Sequence, residues 1–180
     1  MASCKSGSAL SRRVFLLGGG ASFIMTACAQ TEAQMPETDA GTQFYSESPF
    51  RALTDEDWQA RLSAKAYYVL REAGTERAFT SDLNTEKRDG IYHCAGCDLA
   101  LFSSETKYDS GTGWPSFYQA LENRIATSVD YKIGYPRTEY HCARCLGHQG
   151  HVFKDGPVPT GLRYCNNGVA LKFVPAEVPG

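Results

Sequence analysis

A chain of 180 residues that is 42% hydrophobic and 21% charged has an ordinary globular composition, which argues against disorder and against a polytopic membrane protein, and its length suits one domain with a real core. Its formal net charge is −2 and it has no block of five or more Lys or Arg, so it carries no electrostatic footprint for a nucleic-acid partner. The seven cysteines are an odd number, and at least one thiol stays unpaired whatever the others do.

Residues 1–29 read as an export signal. Arg12 and Arg13 precede an uncharged run from Val14 to Ala29 that closes on the small residues Ala27, Cys28 and Ala29, the order of a bacterial leader. The run is shorter than the roughly 20 apolar residues of a spanning helix. "SRRVFL" resembles the twin-arginine motif, and the low hydrophobicity of the run favours that route over the general secretory one. A periplasmic protein is expected. Ala27-Cys28-Ala29 fits an A-x-A cleavage site. Alternatively, Cys28 closes a lipobox and is lipidated, the one route by which the chain meets a membrane; Met25 is an unusual first residue for such a box.

Residues 30–50 lack periodicity and read as a linker, leaving 51–175 as the domain. Thr54 and Asp57 form a capping-box-like start to a helix with Trp58, Ala60 and Leu62 as its apolar stripe. Ser63 caps a second helix, "AKAYYVLREAG", with Tyr67, Val69 and Leu70 inward and Gly74 as its C′ residue. From residue 90 on, short apolar stretches alternate with Gly, Pro, Asn and Asp clusters, which favours antiparallel strands over βαβ units. The expected fold is mainly β: a small two-sheet or barrel-like core with short N-terminal helices.

The hexapeptide "YHCAGC" (92–97) returns as "YHCARC" (140–145). One tight turn aims both sulfurs of a C-x2-C at one ion, and two such knuckles close a tetrahedron suited to Zn2+. Cys94, Cys97, Cys142 and Cys145 are therefore candidate ligands of one structural zinc, with no open coordination position. Two disulfides are the competing reading, since an exported protein meets an oxidising compartment. A C-x-x-C redox pair is a poorer one, because neither motif opens a helix in a βαβ setting.

Cys165 stands apart. On a strand, "RYCNN" puts Arg163, Cys165 and Asn167 on one face, with Leu162, Tyr164 and Asn166 opposite. A cation beside a thiol favours the nucleophilic thiolate. Upstream, His148, His151 and Asp155 in "HQGHVFKDG" are candidate acids near neutral pH. The bland reading of Cys165 is an inert buried thiol. For the two histidines it is hydrogen bonding, or metal ligation through H-x2-H as in a metallohydrolase. A zinc-ribbon-like binding module is the non-catalytic rival.

"DSGTGWPSF" (109–117), "HQGHVFKDGPVPTG" (148–161), "LRYCNNGVALKF" (162–173) and the two knuckles closely resemble the methionine sulfoxide reductase B family. "LSAKAYYVLREAGTERAF" and "KRDGIYHC" look similar too, so the resemblance covers about residues 50–174. It implies a β fold with a four-cysteine zinc and reduction of methionine-R-sulfoxide in proteins, often also as the free amino acid. It implies Cys165 as nucleophile, His148, His151 and Asn167 around the sulfoxide oxygen, Arg163 beside the thiolate, and Trp114 and Phe153 at the substrate. It further implies a thioredoxin-like or other thiol reductant; a monomer is the default. Thr112 is a departure: many members carry there a cysteine that resolves the sulfenic acid. Cys4 and Cys28 are the remaining candidates for that role, and cleavage after Ala29 removes both, so direct reduction by an external thiol is expected.

Overall fold

The structure, a computed structural model, describes residues 39–177. The export-signal reading of 1–29 lies outside the described residues, as do residues 30–38. None of the described helices is long and apolar enough to cross a membrane.

Among the described residues three α-helices come first: α1 (Asp39–Phe44), α2 (Asp55–Arg61) and α3 (Ala64–Glu72). Nine strands follow: β1 (Gly90–Cys94), β2 (Ala100–Ser103), β3 (Lys107–Tyr108), β4 (Ser116–Phe117), β5 (Ile125–Asp130), β6 (Arg137–Cys142), β7 (His148–Phe153), β8 (Arg163–Asn166) and β9 (Leu171–Pro175). They form a three-stranded sheet ordered β2-β1-β9 and a six-stranded sheet ordered β3-β4-β8-β7-β6-β5. Every pairing is antiparallel, as the turn spacing predicts. The sheets meet through aromatic rings. Tyr92 and Phe102 of the smaller sheet pack on Phe117 of the larger, at centroid distances of 4.9 and 4.3 Å. Tyr140 and Tyr164 close the cluster edge to face at 5.3 Å, the offset geometry ring quadrupoles prefer.

The capping box of α2 forms in full: Asp57 N–H donates to Thr54 Oγ1 and Thr54 N–H to Asp57 Oδ2. Only Trp58 of its expected stripe is buried; Leu62 is half-buried and Ala60 exposed. A seven-residue helix turns one large side chain inward and has no length for a stripe. Ser63 caps α3, which buries Ala66, Val69 and Leu70 and leaves Tyr67 half-buried.

At the end of α3 the left-handed residue is Ala73 (φ 51°), not Gly74. Gly74 is needed for a different reason. A Cβ there would stand 2.2 Å from the Tyr68 ring, so its missing side chain is where Tyr68 lies.

The described part of the expected linker is docked rather than free. Arg51 donates to the carbonyls of Thr42 and Ala143, both at 2.7 Å, and Arg124 donates to Tyr45 Oη at 2.7 Å. These polar bonds and the rings of Tyr45 and Phe50, which pack against the core, hold this stretch without any apolar periodicity to announce it.

Candidate active site

β8 lies between β4 and β7, so Cys165 faces Ser116 on one side and His151 on the other. Alternation along β8 buries Tyr164 and Asn166 and leaves Arg163 and Cys165 half-buried on the opposite face. The strand reading of "RYCNN" therefore holds from Arg163 to Asn166, while Asn167 lies past the strand end, at the start of a 3-10 turn. Cys165 opens into a cavity of about 130 Å3, which Trp114, His151, Phe153 and Asn167 also line. His148 lies one step behind, its ring 5.5 Å from that of His151. Arg163 does not line the cavity; its guanidinium lies 4.3 Å from the Phe153 ring centroid.

Opposing influences act on the Cys165 thiol. Burial pushes it up, while the charge of Arg163 and hydrogen bonds from Thr112 and Arg163 pull it down; burial wins. Arg163 is also less available than its strand position suggests. It makes a two-pronged pair with Asp155, Nε to Oδ1 and Nη2 to Oδ2 at 2.8 Å each. That pair lowers the Asp155 carboxyl, which removes it as an acid near neutral pH. The Thr112 hydroxyl belongs to a chain: it meets Ser110 Oγ at 2.8 Å, which meets Ser116 Oγ at 2.7 Å.

Each histidine is set by a carboxylate that the sequence reading missed. His151 Nε2 lies 2.8 Å from Asp130 Oδ2, which also accepts from Arg137 Nη2 at 2.5 Å. His148 Nδ1 lies 2.6 Å from Glu139 Oε1. An ionised carboxylate only accepts, so each bonded nitrogen carries the hydrogen and the other is free to take a proton. Burial lowers His151 despite Asp130, so it rests neutral at neutral pH. A signal for these partners exists. The knuckle after Cys142 is also the β6–β7 turn, and alternation back from it sets His141, Glu139 and Arg137 on one face.

Asn167 lines the cavity, but its amide is largely engaged: Oδ1 accepts from Glu76 N–H at 2.8 Å and Nδ2 donates to Gln149 O at 2.9 Å. The Trp114 indole donates to Glu76 O at 2.9 Å, so the same residue fixes both walls.

The repeated hexapeptide makes the same turn twice. In the first knuckle Asp98 N–H donates to Cys94 O at 2.9 Å and Asp98 is left-handed (φ 59°); in the second Leu146 N–H donates to Cys142 O at 2.9 Å and Leu146 is left-handed (φ 61°). All four sulfurs are buried and lie within 4.8 Å of one another. Between the knuckles, Cys94 and Cys145 are 3.6 Å apart and Cys97 and Cys142 3.5 Å. A tetrahedral ion with bonds of about 2.3 Å needs sulfurs about 3.8 Å apart, and a disulfide needs about 2.05 Å. The set fits a metal ion and not two disulfides. Gln149 Nε2 donates to Cys94 Sγ at 3.4 Å, as suits a sulfur that accepts. The histidines are not part of this group, which answers the H-x2-H alternative: both are paired with carboxylates.

Comparison with known proteins follows the same lines. The SelR domain family matches residues 62–175. Peptide methionine sulfoxide reductase MsrB of Pseudomonas putida strain W619 is 54% identical over 125 residues, which are 69% of this chain and 94% of that one. MsrB of Leptospira interrogans is 52% identical over 121 residues, 67% of this chain and 92% of that one. Peptide methionine sulfoxide reductase B1, chloroplastic, of Oryza sativa subsp. japonica is 54% identical over 123 residues; these are 68% of this chain but span only 58% of that relative.

Proposed function

Because the chain belongs to the SelR domain family, whose relatives are peptide methionine sulfoxide reductases, we propose that it reduces methionine-R-sulfoxide in oxidised proteins through a sulfenic acid on Cys165. The observation that carries this reading is the placement of Cys165 directly opposite His151, on a cavity walled by Trp114 and Phe153.

At rest burial keeps the proton on Cys165 and keeps His151 neutral. The pair therefore has one proton to exchange, that of the thiol, since the other stays on the His151 nitrogen bonded to Asp130. Its transfer from sulfur to the free imidazole nitrogen yields the nucleophile and the acid in one step. Asp130, held by Arg137, orients the ring and stabilises the imidazolium. The thiolate then attacks the sulfoxide sulfur while His151 gives its proton to the oxygen. The hydroxyl then passes from the methionine sulfur to the Cys165 sulfur: the substrate sulfur–oxygen bond and the new sulfur–sulfur bond both break, methionine leaves, and Cys165 is left as sulfenic acid. Trp114 and Phe153 take the methyl end of the substrate. His148, with Glu139 behind it, supports His151, and Asn167 holds the backbone at the cavity wall.

With Thr112 beside Cys165, no resolving cysteine stands at that position. An external thiol, thioredoxin-like or smaller, condenses with the sulfenic acid to a mixed disulfide and water, and a second thiol releases Cys165. Mass spectrometry after one equivalent of substrate tests this, with dimedone as trap. A dimedone adduct on Cys165 is expected; a disulfide between Cys165 and another cysteine of the chain would contradict direct reduction.

The ion held by Cys94, Cys97, Cys142 and Cys145 is read as Zn2+, which a set of four soft thiolates selects. Four protein ligands close the coordination shell, so it stabilises the fold and takes no part in the reaction. The site of action is read as the periplasm, reached by the twin-arginine route, with the enzyme acting as a monomer. Replacing Arg12 and Arg13 with Lys is expected to leave the protein in the cytoplasm; unchanged export would overturn that reading.

A further inference from the structure

The cavity at Cys165 holds about 130 Å3, near the scale that admits a benzene-sized guest. It receives one side chain, and the backbone carrying that side chain must leave through the mouth. Thr75, Arg137 and His151 line that cavity and also a second, larger one of about 590 Å3. The two therefore adjoin, with those three residues as their common wall.

The larger cavity is a groove between the end of α3 and the turn joining β5 to β6. Four exposed apolar residues line it: Tyr68 (51% exposed), Val129 (61%), Tyr131 (67%) and Ile133 (50%). Grouped exposed apolar side chains of this kind mark interaction sites more often than scattered ones do. The groove is also built rather than loose. Lys132 Nζ donates to the carbonyls of Glu72 and Ala73 at 3.1 and 3.0 Å, tying the turn to α3. Gly74 leaves the space into which the Tyr68 ring fits. Asp130 accepts from Lys132 N–H at 2.7 Å while it holds His151 and Arg137. The turn that presents Tyr131 and Ile133 is thus wired to the residue opposite Cys165.

We infer that this groove binds the polypeptide flanking an oxidised methionine, and that apolar side chains next to the sulfoxide seat on Tyr131 and Ile133. The inference rests on the proposed function, since it assigns the occupant of the groove from the substrate of the adjoining cavity.

The test compares two substrates bearing the same methionine-R-sulfoxide. One is the N-acetylated amino acid amide; the other is a peptide with Leu and Val flanking the sulfoxide. Wild type and the Tyr131→Ser/Ile133→Ser variant are assayed by kcat/KM, alongside equilibrium binding of the fluorescein-labelled peptide without reductant. Both side chains are exposed, and zinc content and circular dichroism report whether the variant is folded. Wild type is expected to favour the peptide. The variant should lose about tenfold or more of that preference, through KM and peptide affinity, with turnover of the amino acid amide unchanged. No peptide preference in wild type, or the same preference and affinity in the variant, would overturn the groove. Peptide binding that depends on Tyr131 and Ile133 without turnover of either substrate would uphold the groove and overturn the reductase reading instead.

Discussion

Arg163 and Asp155 act on Cys165 with opposite signs, which makes the thiol's ionisation testable one residue at a time. Arg163→Ala removes a cation and a hydrogen bond that favour the thiolate and frees the Asp155 charge, so the Cys165 pKa rises. Asp155→Asn removes a charge that disfavours the thiolate and releases Arg163, so it falls. Mass-resolved alkylation of Cys165 by iodoacetamide across pH measures both. The wild-type midpoint should lie above the ordinary thiol value, moving up in the first variant and down in the second; movement of both in one direction would contradict the assignment. The placement of Arg163 beside Cys165 is legible from period-2 alternation. The winning effect is not, because burial depends on strands that close over β8 from distant parts of the chain. The engagement of Asn167 by Glu76 and Gln149 is hidden in the same way.

Elements in this fold are short, and their turns carry much of the information. Capping at Thr54 and Ser63 follows from local side-chain chemistry and is readable. The C-terminus of α3 is not, because Gly74 answers to a tertiary contact with Tyr68 rather than to its own φ. The knuckles are readable as a repeat, yet each places a non-glycine residue in the left-handed region. Leu146 bears that strain with no polar side chain to offset it. Leu146→Gly is therefore expected to stabilise the protein by roughly 0.5–1 kcal/mol, seen as a higher denaturant midpoint at unchanged slope. A loss of stability would mean that Leu146 contributes more by packing than it costs in backbone strain. Thr54→Ala should cost about 1 kcal/mol by the same measurement; no change would mean that the capping box adds nothing beyond the packing of Trp58.

The four-cysteine cluster bridges the two sheets. Cys94 ends β1 in the smaller sheet and Cys142 ends β6 in the larger, so a single ion bound there would pin the two sheets together. Removing it with a strong chelator at neutral pH should lower Tm by on the order of 10 °C or more. Cys142→Ser should reproduce that fall, whereas Cys165→Ser should leave Tm and metal content unchanged. Retention of Tm after complete metal removal would place the stabilisation in the aromatic core instead. The two-sheet plan and the four-cysteine cluster were legible because turn punctuation and cysteine spacing are local signals. The docking of residues 39–51 was not, since its bonds reach Ala143 and Arg124 across the fold. The most direct test of the account uses peptides carrying R- or S-methionine sulfoxide, with dithiothreitol as reductant and zinc-loaded wild type and Cys165→Ser as enzymes. The account predicts turnover of the R epimer alone, abolished by the substitution. Equal turnover of the S epimer, or activity that survives in Cys165→Ser, would contradict it.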